Sequence, residues 1–412
     1  MPRNMTENRT HLLACEMGSK LSHLGRDLAL ARHYDRLGNR VVLAVSDLRA
    51  AGGFLGNEGF TLLQAPLLRT VSRSKGPSIN FADMLLNRGF ADAVALTAAV
   101  DAWLALIEMV CPAILVYNNS PTALIAARIA KIPVKLIGSA LEIPPKSAAL
   151  PCFLPVASVT MAALWDAETS LVEHINRQFM RHGTSSISRL SDLYSQAEIH
   201  LTTVKELDPF GPRPDTAYIG PVFELPRPHI VNWSPADEAM PFERRRVFAY
   251  LHPSLPNCES VLEALQQSYA EVICVLSSCP PEWARRFDRI AFHTQALALA
   301  LILPKTELVV TCGVGMMTTA LLAAVPVIFV PETTEQLLIT LAAQRTEAVE
   351  IIHEDFDPKK ILRLLRNILT QDQWRANALK FAERYLSIEF ENNASELEAS
   401  QEAHASHSPR AS

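Results

Sequence analysis

Residues 307–336 hold the groups best suited to chemistry. The apolar run from Glu307 to Thr311 has the length of a strand. It ends in Cys312-Gly313-Val314-Gly315, where two glycines permit a tight turn and bring backbone amides close to a ligand. Met316 to Ala324 has helical composition, and Val325 to Pro331 is a second apolar strand bounded by prolines. Strand, glycine turn, helix and strand make one βαβ unit. The helix N-terminus of such a unit offers unpaired amides and the positive end of a dipole, which suits a nucleotide diphosphate. The spacing alone fits either that anion site or a turn that only joins two elements.

A second concentration lies near the N-terminus. His11 to Met17 has strand character and runs into Gly18-Ser19-Lys20-Leu21-Ser22-His23-Leu24. A helix is expected from about Gly25 to Leu37, with Leu28, Leu30, Ala31 and Tyr34 on its inner face. Gly38-Asn39 stops it, and Val41 to Val45 is the next strand. An unperturbed imidazole can exchange a proton near neutral pH; a histidine that starts or packs a helix is the plain reading of His23 as a lone residue. Lys20 can meet an anion or stay a solvated loop lysine.

The elements that must position these residues alternate in type. Residues 1–225 read as one Rossmann-like domain, with helical Ala91 to Val110, strand Ala113 to Tyr117, helix Pro121 to Ala130, strand Val134 to Gly138 and helical Ala157 to Arg181. Leu67 to Arg88 reads as a loop, and Ile199 to Thr202 and Ala217 to Pro221 close the domain. Residues 226–245 are Pro-rich and read as a semi-rigid linker, in which Arg244-Arg245-Arg246 makes a solvated strand entry. Residues 246–390 form a second domain. Its strand Val247 to Leu251, helix Cys258 to Tyr269 and strand Glu271 to Leu276 lead towards the glycine turn, and Asp357 to Leu369 and Gln371 to Tyr385 are closing helices. Residues 391–412 lack apolar periodicity and read as a disordered tail.

The second domain resembles the donor-binding signature of GT-B glycosyltransferases of the UDP-glycosyltransferase type, in the bacterial nucleotide-sugar-dependent branch. Gln295 matches the family's base-contacting Gln, Gly313 and Gly315 match two glycines of its turn, Val325-Pro326 match its Val-Pro, and Glu335-Gln336 match the acidic-Gln pair that holds sugar hydroxyls. Three positions depart. Thr311 stands where the family has a diphosphate-binding His, Met316 where a hydroxyl meets phosphate, and Thr319 where a Glu grips the ribose. Each lost charged contact weakens the usual donor by about 1–3 kcal/mol. His23 falls on the family's catalytic base, and Asn118 stands where an Asp orients that base. An Asn can bond an imidazole but cannot stabilise the imidazolium. Tyr218-Ile219-Gly220-Pro221 and the Glu-Ile-Pro-Pro of residues 142–145 are further matches, Phe153 falls in a loop that lines acceptors, and His252-Pro253 follows a strand where a loop faces donor phosphates.

The resemblance implies an α/β protein of GT-B fold, with two Rossmann-like parallel-sheet domains facing across a cleft. It implies a glycosyltransferase of hexosyltransferase type that moves a sugar from a UDP- or dTDP-sugar to the hydroxyl of a small molecule or lipid, with inversion and no metal or resident cofactor. The backbone of Cys312, Gly313, Gly315 and Met316 would hold the diphosphate. The departures keep a second reading open: an accessory protein with a degenerate site and a protein partner.

Composition agrees with this class. The 412 residues suffice for two domains, the hydrophobic share is 49%, and a net charge of −5 with 7% aromatics leaves no nucleic-acid footprint. No run of about 18 apolar residues is expected to span a membrane, and the polar start lacks a signal peptide's apolar stretch. The 7 cysteines show no metal or redox spacing, so the expected setting is cytoplasmic, with room for peripheral contact at the inner face of a membrane.

Overall fold

Runs of Val, Leu, Ile and Ala without polar alternation become parallel strands here, because helices cover both faces of such a sheet. The computed structural model describes residues 9–18, 21–68, 76–147, 149–154, 159–195, 197–214, 216–234, 245–353 and 355–385. Two compact units emerge: the first runs to Lys205 and includes Pro212–Pro226, and the second comprises Glu206–Gly211 and the chain from Arg227.

The first unit opens with β1 (Thr10–Cys15), α1 (Leu21–Arg36), β2 (Arg40–Val45), α2 (Leu48–Leu55) and β3 (Thr61–Gln64). Next come α3 (Phe81–Leu85), a π-helical turn Leu86–Phe90, α4 (Ala93–Val110), β4 (Ile114–Tyr117), α5 (Pro121–Ala130) and β5 (Val134–Gly138). α6 (Met161–Arg181), α7 (Ser191–Tyr194), β6 (Glu198–Leu201) and β7 (Ala217–Tyr218) complete it. The parallel sheet has the order β3-β2-β1-β4-β5-β6-β7. Leu13, Leu28, Leu43, Val116 and Ile137 lie in the core between α1 and this sheet.

The second unit contains β8 (Arg246–Leu251), α8 (Cys258–Gln267), β9 (Glu271–Leu276), α9 (Pro281–Arg286), β10 (Ile290–His293), α10 (Leu299–Ile302) and β11 (Leu308–Thr311). It continues through α11 (Val314–Leu322), β12 (Val327–Phe329), α12 (Thr334–Gln344), β13 (Val349–Ile351), α13 (Pro358–Thr370) and α14 (Asp372–Glu383). The sheet order is β10-β9-β8-β11-β12-β13.

Each order reverses direction once. β1 is paired to both β2 and β4, and β8 to both β9 and β11. In open α/β sheets a ligand enters where the strand order reverses, beyond the C-terminal strand ends. Topology therefore selects residues 16–18 and 118–119 in the first unit, and residues 252–254 and 312–313 in the second.

Several expectations are corrected. α1 begins at Leu21, which puts His23 in the first helical turn; Ser19 and Lys20 lie outside the described residues. The segment Leu67 to Arg88 is not all loop: Asn80 caps α3 through Asp83, and the π-helical turn follows, while residues 69–75 lie outside the description. By length and composition α4 is apolar enough to cross a membrane, a test that core helices also pass; in this fold it lays Leu96, Val100, Trp103, Leu106 and Ile107 into the first unit. Arg245 and Arg246 are not simply solvated, since they pair with Glu307 and Glu271. Arg244 and residues 235–243 are outside the description, but Trp233 docks its indole N–H on Ile302 O at 3.0 Å and His229 bridges to Leu297. The tail beyond Tyr385 is also outside it.

Glu16 locks the first reversal point. It follows β1, accepts from the Thr122 N–H at 2.8 Å and Trp103 Nε1 at 2.9 Å, and is bonded by the Thr122 hydroxyl. Thr122 lies in the first turn of α5, whose amides and dipole favour a carboxylate. Burial pushes the Glu16 carboxyl up from 4.5 to about 7, outweighing those hydrogen bonds. Glu16→Ala strands a buried indole N–H and a helix-start amide, so urea unfolding should show a loss of about 2 kcal/mol or more. The folded chain binds the Glu16 proton before the unfolded chain does, so wild type should gain on Glu16→Gln as pH falls from 7 to 4.5, by up to about 3 kcal/mol. A pH-independent difference between these two proteins would overturn the assignment.

Candidate functional site

The first turn of α1 faces the end of β4, and six polar groups meet there. His23 is partly exposed, whereas Arg26, Asp27 and Asn118 are buried. Gly18 leaves room for the ring: a Cβ at that position would sit 2.3 Å from His23 Cγ. Its carbonyl is held by Cys15 Sγ at 3.2 Å and Ser46 Oγ at 3.0 Å. The loop is thereby shaped around His23 by a glycine with no room for a side chain.

Asn118 has one possible orientation. Its Nδ2 donates to Asp27 Oδ1 at 2.7 Å and points at His23 O at 3.4 Å, while its Oδ1 accepts from Arg26 Nη1 at 2.7 Å. That oxygen lies 3.5 Å from His23 Nδ1. The same Arg26 Nη1 donates to Glu142 Oε2 at 2.7 Å, which also accepts from the Ser139 N–H at 2.7 Å. Glu142 Oε1 stands 3.7 Å from His23 Nε2. Desolvation raises the Glu142 carboxyl, but Arg26, then His23 and the Ser139 amide outweigh it and hold it down at about 2. Asp27 is the opposite case: its burial prevails over Asn118 and Arg26 and pushes it up to about 7.

Sequence reasoning reached His23 and Asn118 and missed Arg26, Asp27 and Glu142. A charged Arg-Asp pair inside a helix whose neighbours Leu24, Leu28, Leu30 and Ala31 form the core was a readable signal. Glu142 lay within the loop match of residues 142–145, taken there only as a connection. In the same unit a cleft of about 340 Å³ opens beside Met17, Leu67, Leu68 and Phe90, with Asp47 and Arg88 as polar wall. Phe153 is buried rather than part of that wall.

The second unit brings Thr311, Cys312, Gly313, Gly315, Met316 and Thr319 onto one turn and the helix after it. Cys312 N–H bonds Tyr250 O at 3.1 Å, fastening β11 to β8 where the order reverses. The first bond of α11 runs from Met317 N to Gly313 O at 2.9 Å, which leaves the amides of Val314, Gly315 and Met316 ahead of the helical ladder. Gly313 fits closely against its neighbour, since a Cβ there would sit 3.0 Å from Tyr250 Cε1 and the ring would have to give way.

The two threonine hydroxyls here bond nearby backbone groups. Thr311 Oγ1 accepts from the Gly313 N–H at 2.9 Å, and Thr319 Oγ1 donates to Gly315 O at 2.9 Å. Gln336 Nε2 donates to Cys312 O at 3.1 Å and its Oε1 accepts from Glu332 N–H at 2.6 Å, so its amide ties two loops together. Glu335 sits beside it, partly exposed in the first turn of α12. Gln295 is exposed just after β10. His252 Nδ1 engages Ser254 Oγ at 2.6 Å, and Ser254 Oγ reaches Glu332 Oε1 at 3.4 Å.

No family model matches the chain, and no curated protein sequence does. Solved structures do. The glycotransferase of kitacinnamycin superposes with a TM-score of 0.67 at 17% identity, over 95% of this chain and 98% of its own. The spinosyn rhamnosyltransferase SpnG with spinosyn aglycone gives 0.59 at 17% identity, over 95% and 100%. The glycosyltransferase SsfS6 of Streptomyces sp. SF2575 with thymidine diphosphate gives 0.59 at 14% identity, over 96% and 99%. The two parallel-sheet units are those of the GT-B fold.

Restoring an aspartate at the end of β4 should harm this site. Asn118→Asp places a carboxylate oxygen where Nδ2 now lies, 2.7 Å from Asp27 Oδ1. Two carboxylates in that contact cannot both ionise without cost. Chemical denaturation at about pH 8 should show a loss of about 2 kcal/mol, shrinking towards about pH 5 as the pair shares a proton. A variant as stable as wild type at the higher pH would contradict this placement.

Proposed function

We propose that the protein transfers a sugar from a nucleotide diphosphate sugar, of uridine or thymidine type, to a hydroxyl of a small-molecule or lipid acceptor. The observation that carries this reading is the start of α11: three amides ahead of the ladder at a sheet reversal point, with the Gln336 tie and Glu335 alongside. Structures of the same fold support it, one solved with thymidine diphosphate and one with an aglycone. The cleft of the first unit, lined by both apolar and charged side chains, is the acceptor side of this reading. The seven cysteines, none of them in a disulfide among the described residues, accord with a cytoplasmic setting.

The reaction is a single displacement with inversion. The acceptor hydroxyl gives its proton to His23, its oxygen bonds to the anomeric carbon, and the carbon–oxygen bond to the diphosphate breaks with its electron pair on the leaving nucleotide. The α11 amides receive that charge, so the leaving group needs no metal to neutralise it. His23→Ala should lower turnover by about 10²–10⁴-fold while nucleotide affinity stays unchanged. Full turnover in that variant would remove His23 from the role.

A second reading has an observation of its own. The hydroxyls of Thr311 and Thr319 each bond a nearby backbone group, as expected of a degenerate donor pocket in an accessory protein with a protein partner. Thermal unfolding against uridine and thymidine diphosphates and their sugars separates the two. A donor at about 100 times its Kd adds about 2.7 kcal/mol, a readable rise in Tm for one nucleotide series. A well-folded protein that is silent across the panel would favour the accessory reading.

A further inference from the structure

The geometry points to Glu142 as the positioning residue that stabilises charged His23, the task that Asn118 cannot perform. This rests on the transferase reading, and its evidence is the set of contacts around one ring.

The Asn118 amide is fixed by Asp27 on one side and Arg26 on the other, so the oxygen it shows to His23 Nδ1 is a hydrogen-bond acceptor. An acceptor at Nδ1 selects the tautomer with its proton there, which makes Nε2 the lone-pair nitrogen that takes the acceptor's proton. Once Nε2 is protonated the ring is a cation. The carboxylate facing Nε2 is Glu142, whose Oε1 is 3.7 Å away. That gap is longer than a hydrogen bond, yet the pair is close enough to attract strongly when the ring is charged.

The charged and titratable groups around His23 come from three elements. Arg26 and Asp27 come from its own helix, Cys15 from β1 and Glu142 from the segment after β5, with the neutral amide of Asn118 from the end of β4. Arg26 opposes a cationic ring, and Asp27 is spent on Asn118. Glu142 is thus the carboxylate aimed at the ring. It is itself held by three bonds to its surroundings: Arg26 Nη1 and the Ser139 N–H on Oε2, and the Tyr117 hydroxyl on its carbonyl at 2.7 Å. A side chain on a turn is thereby fixed as firmly as one at a strand end. The role that falls in related sites to an Asp after β4 passes here to a Glu after β5.

The titration of His23, followed by NMR with carbon-13-labelled histidine and assigned by its absence in His23→Gln, tests this without donor or acceptor. Its outcome therefore stands apart from the nucleotide panel. Glu142→Gln should lower the His23 midpoint by about one pH unit, a roughly tenfold loss in proton affinity, because Arg26 remains while its counter-charge is gone. Glu142→Asp keeps the charge one methylene further off and should lower it by a smaller step, which serves equally if the Gln variant does not fold. Arg26→Gln should move the midpoint upwards. A His23 midpoint unchanged in the Glu142 variants would overturn the assignment, whatever the protein transfers.

Discussion

A buried guanidinium organises the first unit. Arg26 is removed from water within α1, and a charge so placed must find acceptors or cost several kcal/mol. It finds Asn118 Oδ1 and Glu142 Oε2, both at 2.7 Å from one nitrogen. Those two bonds decide which way the Asn118 amide faces and where the Glu142 carboxylate rests. Each in turn faces one nitrogen of His23. The ring's surroundings follow from an ion that must be neutralised, and the helix, the end of β4 and the turn after β5 are drawn together to do it.

The second unit is governed by satisfaction of backbone groups rather than by ions. Its turn after β11 uses Thr311, Thr319 and Gln336 to pair amides and carbonyls that a sharp change of direction exposes. What stays open is the start of α11, where no side chain caps the helix. The two units therefore reach their sites by different physics: fixed opposite charges in one, a helix start without a side-chain cap in the other.

The parallel strands were legible because burial on both faces writes itself as continuous apolar runs, and Val134–Gly138 and Glu271–Leu276 fall where those runs fall. β3 was not, since an edge strand of Thr, Leu, Leu and Gln carries no such run. The glycine turn was legible from spacing, and His23 was singled out by the family resemblance. The partners of His23 were not, because Arg26, Asp27 and Glu142 meet only when the chain closes: Glu142 is 116 residues from Arg26. α4 was legible as a helix, and although its composition passes for a membrane span, one face of it is core to the first unit.

The Asn118 amide bears on how such sites can diverge. It donates to one carboxylate and accepts from a cation, so it reads the charge on either side of it. An Asp in its place meets Asp27, and removing Glu142 leaves Arg26 with a neutral partner. Neither position can change alone without a charge left over. Positions 27, 118 and 142 therefore form one epistatic unit, and substitutions among them should combine in sets rather than one at a time. Two descendants of a common fold can hold the same imidazole in place with different residues, and a comparison made position by position would count each of those differences as a loss.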